Sequence, residues 1–334
     1  MPSVKPRVLI ISPALADANN GNWRTAHRWR RFLSQRYEVS IANAWPNPEQ
    51  AGAPDLVIAL HARRSADSIA RFADRHPDRP LIVVLTGTDL YRDIESDAAA
   101  QRSLEHATRL VVLQSEGIAA LPVAVRVKAE AIVQSSQALK RGTANKRSFD
   151  LVFVGHMRAE KDPLTALRAF ERVRADRTGN RSVRLIHIGE ALDATYRRAA
   201  EQLGARNAGY RWLGALSHGA TRQRIKRAHA LLITSVMEGG AHVVIEAITS
   251  GVPVIASAIP GNIGLLGRDY AGTFPAGDDA ALAALILRAR DDAAFLALLA
   301  RQCAARAPLF LPEREKRRLI TLVGSCLAKN RRLS

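Results

Sequence analysis

The chain has 334 residues, 47% of them hydrophobic and 24% charged, the composition of a globular protein with room for two α/β domains. Its 49 Lys+Arg against 31 Asp+Glu leave a formal net charge of +18, which favours anionic partners. The arginines are spread along the chain without a nucleic-acid-binding signature, and the two cysteines, Cys303 and Cys326, are too few for a disulfide framework or a cysteine metal site.

Met1 to Pro6 run directly into an apolar strand without a signal-peptide-like segment, and no apolar run is expected to reach membrane-spanning length. A cytoplasmic protein without stable membrane insertion is the expectation. Arg7–Ser12, Glu38–Ala42, Asp55–Leu60, Leu81–Thr86 and Arg109–Leu113 read as strands, with helices over Asn22–Arg36, Ser65–His76 and Asp97–His106. Continuous apolar strands alternating with helices predict a parallel, doubly wound sheet covered on both faces. The polar loops after the strands then line one edge. They comprise residues 17–22, His61-Ala62-Arg63-Arg64-Ser65 and Thr86–Asp93. Together they hold more His, Arg, Asp and Thr than connectors need, and binding residues concentrate on such loops. Taken singly, His61 also fits a core histidine, Asp89 a helix cap, and Arg63 and Arg64 a solvated surface. The helix Asn22–Arg36 mixes Trp23, Trp29, Phe32 and Leu33 with arginines, and packing is expected over membrane docking.

Around Lys140–Ser148 the sequence turns polar and loses its periodicity. This places an N-terminal domain at 1–145 and a second α/β domain at 146–310. A C-terminal helix within 311–334 is expected to pack back toward the first domain. The second domain repeats the alternation, with strands Phe149–Gly155, Val183–Gly189, Tyr210–Leu213, Ala230–Thr234 and Val252–Ser257. Its helices are Asp162–Arg174, Ala191–Leu203, Val243–Ser250, Asp278–Arg290 and Asp292–Ala305, with one more near Thr221–Arg227. Ala258–Leu266 is expected as a glycine loop.

The stretch Ser235–Ala247 carries the chemistry. Glu238 and Glu246 flank Gly239-Gly240 where a strand hands over to a helix, the edge at which α/β sheets bind ligands. The glycines leave backbone N–H groups uncovered for a phosphate; a tight turn with two solvated glutamates is the plain alternative. In the loop after the domain's first strand, Arg158 and Lys161 suit a diphosphate, one as a fork and one as a point charge. There is no Walker A loop, no dinucleotide fingerprint, no aspartate pair spaced for a metal–diphosphate clamp and no His/Cys cluster. A leaving diphosphate would therefore be met by Arg158, Lys161, backbone N–H groups and a helix dipole, without metal or cofactor.

Ser235-x-x-Glu238-Gly239, Glu246-Ala247 and Gly251-x-Pro253-Val254, with Gly155-x-x-Arg158-x-x-Lys161 upstream, resemble the glutamate-x7-glutamate signature of retaining GT-B glycosyltransferases of the family-4 group. That resemblance implies two Rossmann-like, doubly wound parallel-sheet domains facing a central cleft. A second resemblance covers nearly the whole chain. Gly21–Ala26, Leu60–Ser65, Leu85–Ile94, Glu238–Ala241 and Pro260–Gly267 resemble the selenosugar synthases of selenoneine biosynthesis. It implies an enzyme that joins selenophosphate to the anomeric carbon of UDP-glucose or UDP-N-acetylglucosamine, releasing UDP and phosphate. Its partners would be small molecules alone, and the UDP-sugar would be a substrate rather than a cofactor.

The resemblance implies roles for particular residues. Glu246 would hold the ribose hydroxyls and Glu238 the sugar hydroxyls, while Arg158 and Lys161 neutralise the diphosphate. Gly239 and Gly240 would offer backbone donors, with Ala241 and Asn262 beside them. His61 matches a histidine that contacts the sugar near the reacting carbon. Asn22, Arg63, Arg64, Thr88, Asp89 and Arg92 would grip a small, multiply charged anion between the domains. Gly240-Ala241 departs from the family's usual aromatic–glycine pair, and His242 either touches the sugar or starts a helix. Two other readings stand beside this one: transfer to a hydroxyl of a lipid or sugar, and a nucleotide-sugar-binding module without chemistry.

Overall fold

The computed structural model of the protein describes residues 5–14, 21–47, 52–176, 178–179 and 181–330; of the loop expected at 17–22, residues 17–20 lie outside them. The chain divides into two units, residues 1–135 with 312–334, and residues 136–311.

In the first unit β1 (Arg7–Ile11), β2 (Glu38–Ala42), β3 (Leu56–Leu60), β4 (Leu81–Leu85), β5 (Arg109–Val112) and β6 (Ala129–Ala131) form one parallel sheet, ordered β2-β1-β3-β4-β5-β6. Around it lie α1 (Gly21–Leu33), α2 (Ala66–Arg75), the single turn α3 (Ile94–Ser96) and α4 (Ala98–His106). Every residue of β3 and β4 is buried, as strands covered by helices on both faces must be. That is why they are continuous apolar runs rather than alternating ones.

The second unit repeats the plan. Its strands are β7 (Ser148–Val154), β8 (Ser182–Ile188), β9 (Tyr210–Trp212), β10 (Ala230–Ile233), β11 (Val254–Ser257) and β12 (Thr273–Phe274), in the order β12-β11-β10-β7-β8-β9, all parallel. Its helices are α5 (Pro163–Ala175), α6 (Ala194–Arg206), α7 (His218–Ile225), α8 (His242–Ile248), α9 (Pro260–Leu266), α10 (Asp279–Asp291) and α11 (Ala293–Arg306). Ala258–Leu266 is therefore not the expected loop. Pro260 sits at the first turn of α9, where its missing N–H costs nothing. The edge strands β6 and β12, of three and two residues, are too short to leave a periodic signal.

The boundary falls earlier than 145. The polar stretch belongs to the second unit, where Leu139 N–H donates to Thr249 C=O at 3.0 Å and Gly142 N–H to Lys226 C=O at 2.9 Å. Its lack of periodicity reflects an extended segment paired to helix ends rather than a free linker. One segment, Ala293–Ala328, is long and apolar enough to cross a membrane by length and composition, contrary to the expectation. It is not one helix, because a 3-10 turn at Ala307–Phe310 and an extended Leu311 separate α11 from the closing helix α12 (Pro312–Asn330).

α12 completes the first unit. Leu319, Leu322 and Val323 pack against Trp29 and Leu33 of α1 and against Val8 and Ile58 of the sheet. At its start Glu315 is fully buried and accepts from Arg28 Nε at 2.9 Å, Trp29 Nε1 at 2.7 Å, Ser135 N–H at 2.7 Å and Ser135 Oγ at 2.5 Å. Removing one partner of a buried pair strands the others. Glu315→Ala is thus expected to lower unfolding stability by about 3–5 kcal/mol, measured by urea denaturation. Glu315→Gln, which keeps one acceptor oxygen, should fall between the two.

Candidate functional site

In the second sheet β10 and β7 lie side by side, yet the chain leaves β7 toward β8 and β10 toward β11. Loops that diverge in this way open a crevice at the carboxyl ends of the strands. Residues 155–162 follow β7 and residues 234–241 follow β10. Side chains and backbone sew them together. Thr234 Oγ1 donates toward the Lys161 and Asp162 carbonyls at 2.9 and 2.8 Å, and Val236 N–H donates to Glu160 C=O at 3.0 Å. From β11, Ser257 Oγ donates to Ser235 C=O at 2.5 Å. Asp162 takes a left-handed turn (φ 43°) and caps α5 through Thr165.

At this seam Lys161 Nζ pairs with Glu238 Oε1, which also accepts from Ser235 Oγ at 2.6 Å. Both side chains are largely withdrawn from solvent, at 16% and 11% exposure, whereas Arg158 is 45% exposed and lies 3.7 Å from Glu160. Gly239 and Ala241 are buried and Gly240 half-buried. Gly261, in the first turn of α9, lies so close that a Cβ would come within 2.0 Å of Glu238 C=O. Only glycine lets α9 back the glutamate loop this tightly.

Beneath the other loop, Gly189 (φ +147°) has no room for a Cβ, which would meet Gly155 C=O at 2.0 Å. His187, fully buried, lies with Nε2 3.2 Å from Gly155 C=O and Nδ1 3.0 Å from Tyr210 Oη. Burial drives its pKa down to about 4, against a smaller upward pull from the Gly155 carbonyl. His187 is therefore neutral, donating from Nε2 and accepting at Nδ1.

Glu246 lies on α8 and is 3% exposed. Burial works to raise its pKa, but hydrogen bonds from His218 Nε2 (2.5 Å) and His242 Nδ1 (3.2 Å) to Oε1 win and hold it well below the usual carboxylate range. His242 thus occupies the first turn of α8 and reaches one turn forward along the helix to Glu246. His218 did not stand out in the sequence. Ser217, whose side chain caps α7, was the available signal: a helix begun there puts His218 in its first turn, not the expected start near Thr221. Asn262 is fully buried with its amide nitrogen on Ser257 C=O at 3.0 Å, tying α9 to β11, and its Oδ1 has no partner among the described residues.

The first unit has its own diverging pair, β1 and β3. His61 follows β3 with φ 71°, a conformation non-glycine residues adopt only under local compulsion. Its N–H donates to Val84 C=O at 2.8 Å, and Arg64 N–H donates to Nδ1 at 3.3 Å. The proton is thereby assigned to Nε2, which lies 3.1 Å from Thr88 Oγ1. Burial lowers the His61 pKa, Asp89 opposes it and Arg64 adds to it. Asp89 does not face a ligand: it is fully buried, and it accepts from the N–H groups of Thr86 (2.9 Å), Gly87 (2.8 Å) and Ala62 (2.9 Å), clamping the two loops. Arg63, Arg64 and Arg92 are exposed above it, Arg63 against Asp97 at 2.8 Å and Arg92 against Asp93 at 3.1 Å. Asn22 is half-buried in the first turn of α1. Among the described residues no group of three His, Cys, Asp or Glu is placed to hold a metal ion.

Comparison with known proteins bears on the family and the fold. The family model described as glycosyl transferases group 1 matches residues 135–308, more than half the chain. The sucrose-phosphate synthase of Thermosynechococcus elongatus superposes with a TM-score of 0.78 at 17% identity, covering 97% of this chain and all of that one. Anabaena HepE, in a complex described as holding UDP and glucose, superposes at 0.73 with 15% identity, covering 96% and 100%. The two parallel sheets with their helices are the GT-B fold.

A neutral buried histidine makes stability depend on pH. As pH falls from 6.5 toward 4 the unfolded chain takes up a proton that native His187 refuses, so stability is lost across that window. The His187 contribution should reach roughly 3 kcal/mol. Urea midpoints at pH 4.5 and 7.5 should differ less for His187→Gln than for the wild type.

Proposed function

Because the chain belongs to the glycosyl transferases group 1 family, we propose that it transfers a hexose from a UDP-sugar to a small, multiply charged anion. The acceptor in this reading is selenophosphate, as the loop motifs similar to those of selenosugar synthases imply. One observation carries the donor half: Lys161 and Glu238, from two different strand-end loops, are held together at the point where the sheet's connections diverge. HepE, whose structures are described as holding UDP and UDP-glucose, supports the choice of donor by its fold alone.

In this reading Glu246 accepts the ribose hydroxyls and Glu238 a sugar hydroxyl. Lys161 and Arg158 meet the negative charge that grows on the diphosphate as the anomeric C–O bond breaks, without a metal. Glu238 balances Lys161 until the donor arrives. The selenium of the acceptor attacks the anomeric carbon, and the bonding pair leaves with UDP. Water then attacks phosphorus, so that the P–Se bond breaks and phosphate and the selenium-bearing sugar separate. An acceptor that is already anionic needs no enzymic base.

The test combines purified protein, UDP-N-acetylglucosamine or UDP-glucose, and selenophosphate, with and without chelator, and follows UDP release and selenium-bearing sugar by mass spectrometry. Product in the presence of chelator is the expected result. UDP release only with a lipid or sugar hydroxyl would replace the acceptor. Tight UDP binding without turnover, indifferent to Glu238→Ala, would leave a binding module. Lys161→Ala is expected to lower kcat by about 10²-fold, because its charge acts on the breaking bond. Glu246→Gln should raise KM for the UDP-sugar and largely spare kcat, because the ribose is remote from that bond.

A further inference from the structure

Glu246 is the most enclosed carboxylate of the candidate donor site, and its two neighbours come from different elements. His242 reaches it along α8, while His218 reaches it from α7. Both imidazoles hold the same oxygen, Oε1, at 3.2 and 2.5 Å, and no hydrogen bond among the described residues reaches Oε2. A carboxylate gripped on one oxygen from two sides cannot turn about its last torsion. Its other oxygen therefore points in one direction before any ligand arrives.

The helix that carries His218 is itself anchored. One turn on, Arg222 is 8% exposed and donates to Gln137 C=O at 2.6 Å and toward Ser250 Oγ at 3.3 Å. Its charge also acts on Glu246, so the carboxylate faces Arg222 and His218 from α7 and His242 from its own helix. His218 has 47% of its side chain in solvent, so packing does not explain its placement. What it contributes is a hydrogen bond to a buried charge, aimed by a fixed helix.

We propose that His218 is a positioning residue of the nucleotide site, which with His242 fixes Glu246 so that Oε2 reads the vicinal hydroxyls of a ribonucleoside diphosphate. The proposal rests on the reading in which Glu246 holds the ribose. A preset acceptor lowers the ordering cost of binding only for ligands that supply the matching donors. The imidazole pair should therefore enhance affinity for ribose, which offers both hydroxyls, more than for 2′-deoxyribose, which keeps only one.

Calorimetric titration of the full chain with UDP and with 2′-deoxy-UDP tests this. The wild type should prefer UDP by about tenfold or more, the range of a hydrogen bond to a charged group. His218→Ala should weaken UDP by roughly five- to tenfold and 2′-deoxy-UDP by a clearly smaller factor, with His218→Gln recovering part of the loss. In turnover, KM for the UDP-sugar should rise while kcat holds. Equal weakening of both nucleotides would overturn the proposal, since a merely structural role predicts it. Tighter UDP binding would also overturn it, because His218 would then compete with the ligand. If His218→Ala shifts the thermal midpoint, His242→Gln takes its place with the same expectations. Glu246→Gln separates the two levels: loss of ribose preference there, with His218→Ala unchanged, sinks this inference alone. If the wild type fails to bind UDP, or Glu246→Gln leaves the preference intact, the donor reading beneath it falls, and this inference with it.

Discussion

Thr234 ends β10 with its hydroxyl on the carbonyls of Lys161 and Asp162, and the candidate donor site is built outward from that contact. A lysine and a glutamate on separate loops meet by design only if the loops are held to within tenths of an ångström. The parallel sheet brings their strands together, and the divergence of the connections leaves the space above them empty. Hydroxyls of Thr234, Ser235 and Ser257 then fix the loops from below, and Gly261 lets α9 close against the back of the glutamate loop. Small residues do the positioning, so that the charged side chains above need only point.

Four carboxylates show how burial sorts charges by task. Glu315 is fully buried and saturated by Arg28, Trp29 and Ser135, leaving nothing for a ligand; it fastens α12 to the first unit. Asp89 is equally enclosed and spends both oxygens on backbone N–H groups. Glu246 is as deep but held on one oxygen only, and Glu238 is partly open with a lysine as partner. Burying an ionised carboxylate is costly unless each oxygen is met. The incompletely met ones, Glu246 and Glu238, are accordingly those with an oxygen left to offer.

Much of the fold was legible because buried parallel strands must be continuous apolar runs, and β3, β4 and β10 are. The edge strands β6 and β12 were not, being too short and too weakly buried to leave a pattern. The glycines of Pro260–Leu266 suggested a loop, yet they serve close packing within a helix, a tertiary demand that local propensity does not register. In the site, Glu238, Glu246 and Lys161 stood out through spacing. Asp89 was legible as a residue of the first unit's strand-end loops but not as their clamp, since its partner Ala62 lies on another strand's loop. His218 stayed invisible because its relation to Glu246 spans 28 positions and follows no period.

The arginines of the first unit differ in how firmly their charges are already met. Arg63 already faces Asp97 and Asp93, and Arg92 faces Asp93, while the Arg64 guanidinium has no ion pair among the described residues. Exposed pairs of this kind are individually weak. An anion can therefore draw Arg63 and Arg92 away from their carboxylates, but only if it offers more charge than they do. A single carboxylate or hydroxyl does not. A phosphate-like group with several charged oxygens can engage Arg64 outright and take a share of the other two. Asp93 and Asp97 thus hold Arg63 and Arg92 in ion pairs that Arg64 lacks, and any ligand of these two arginines would have to compete with those carboxylates.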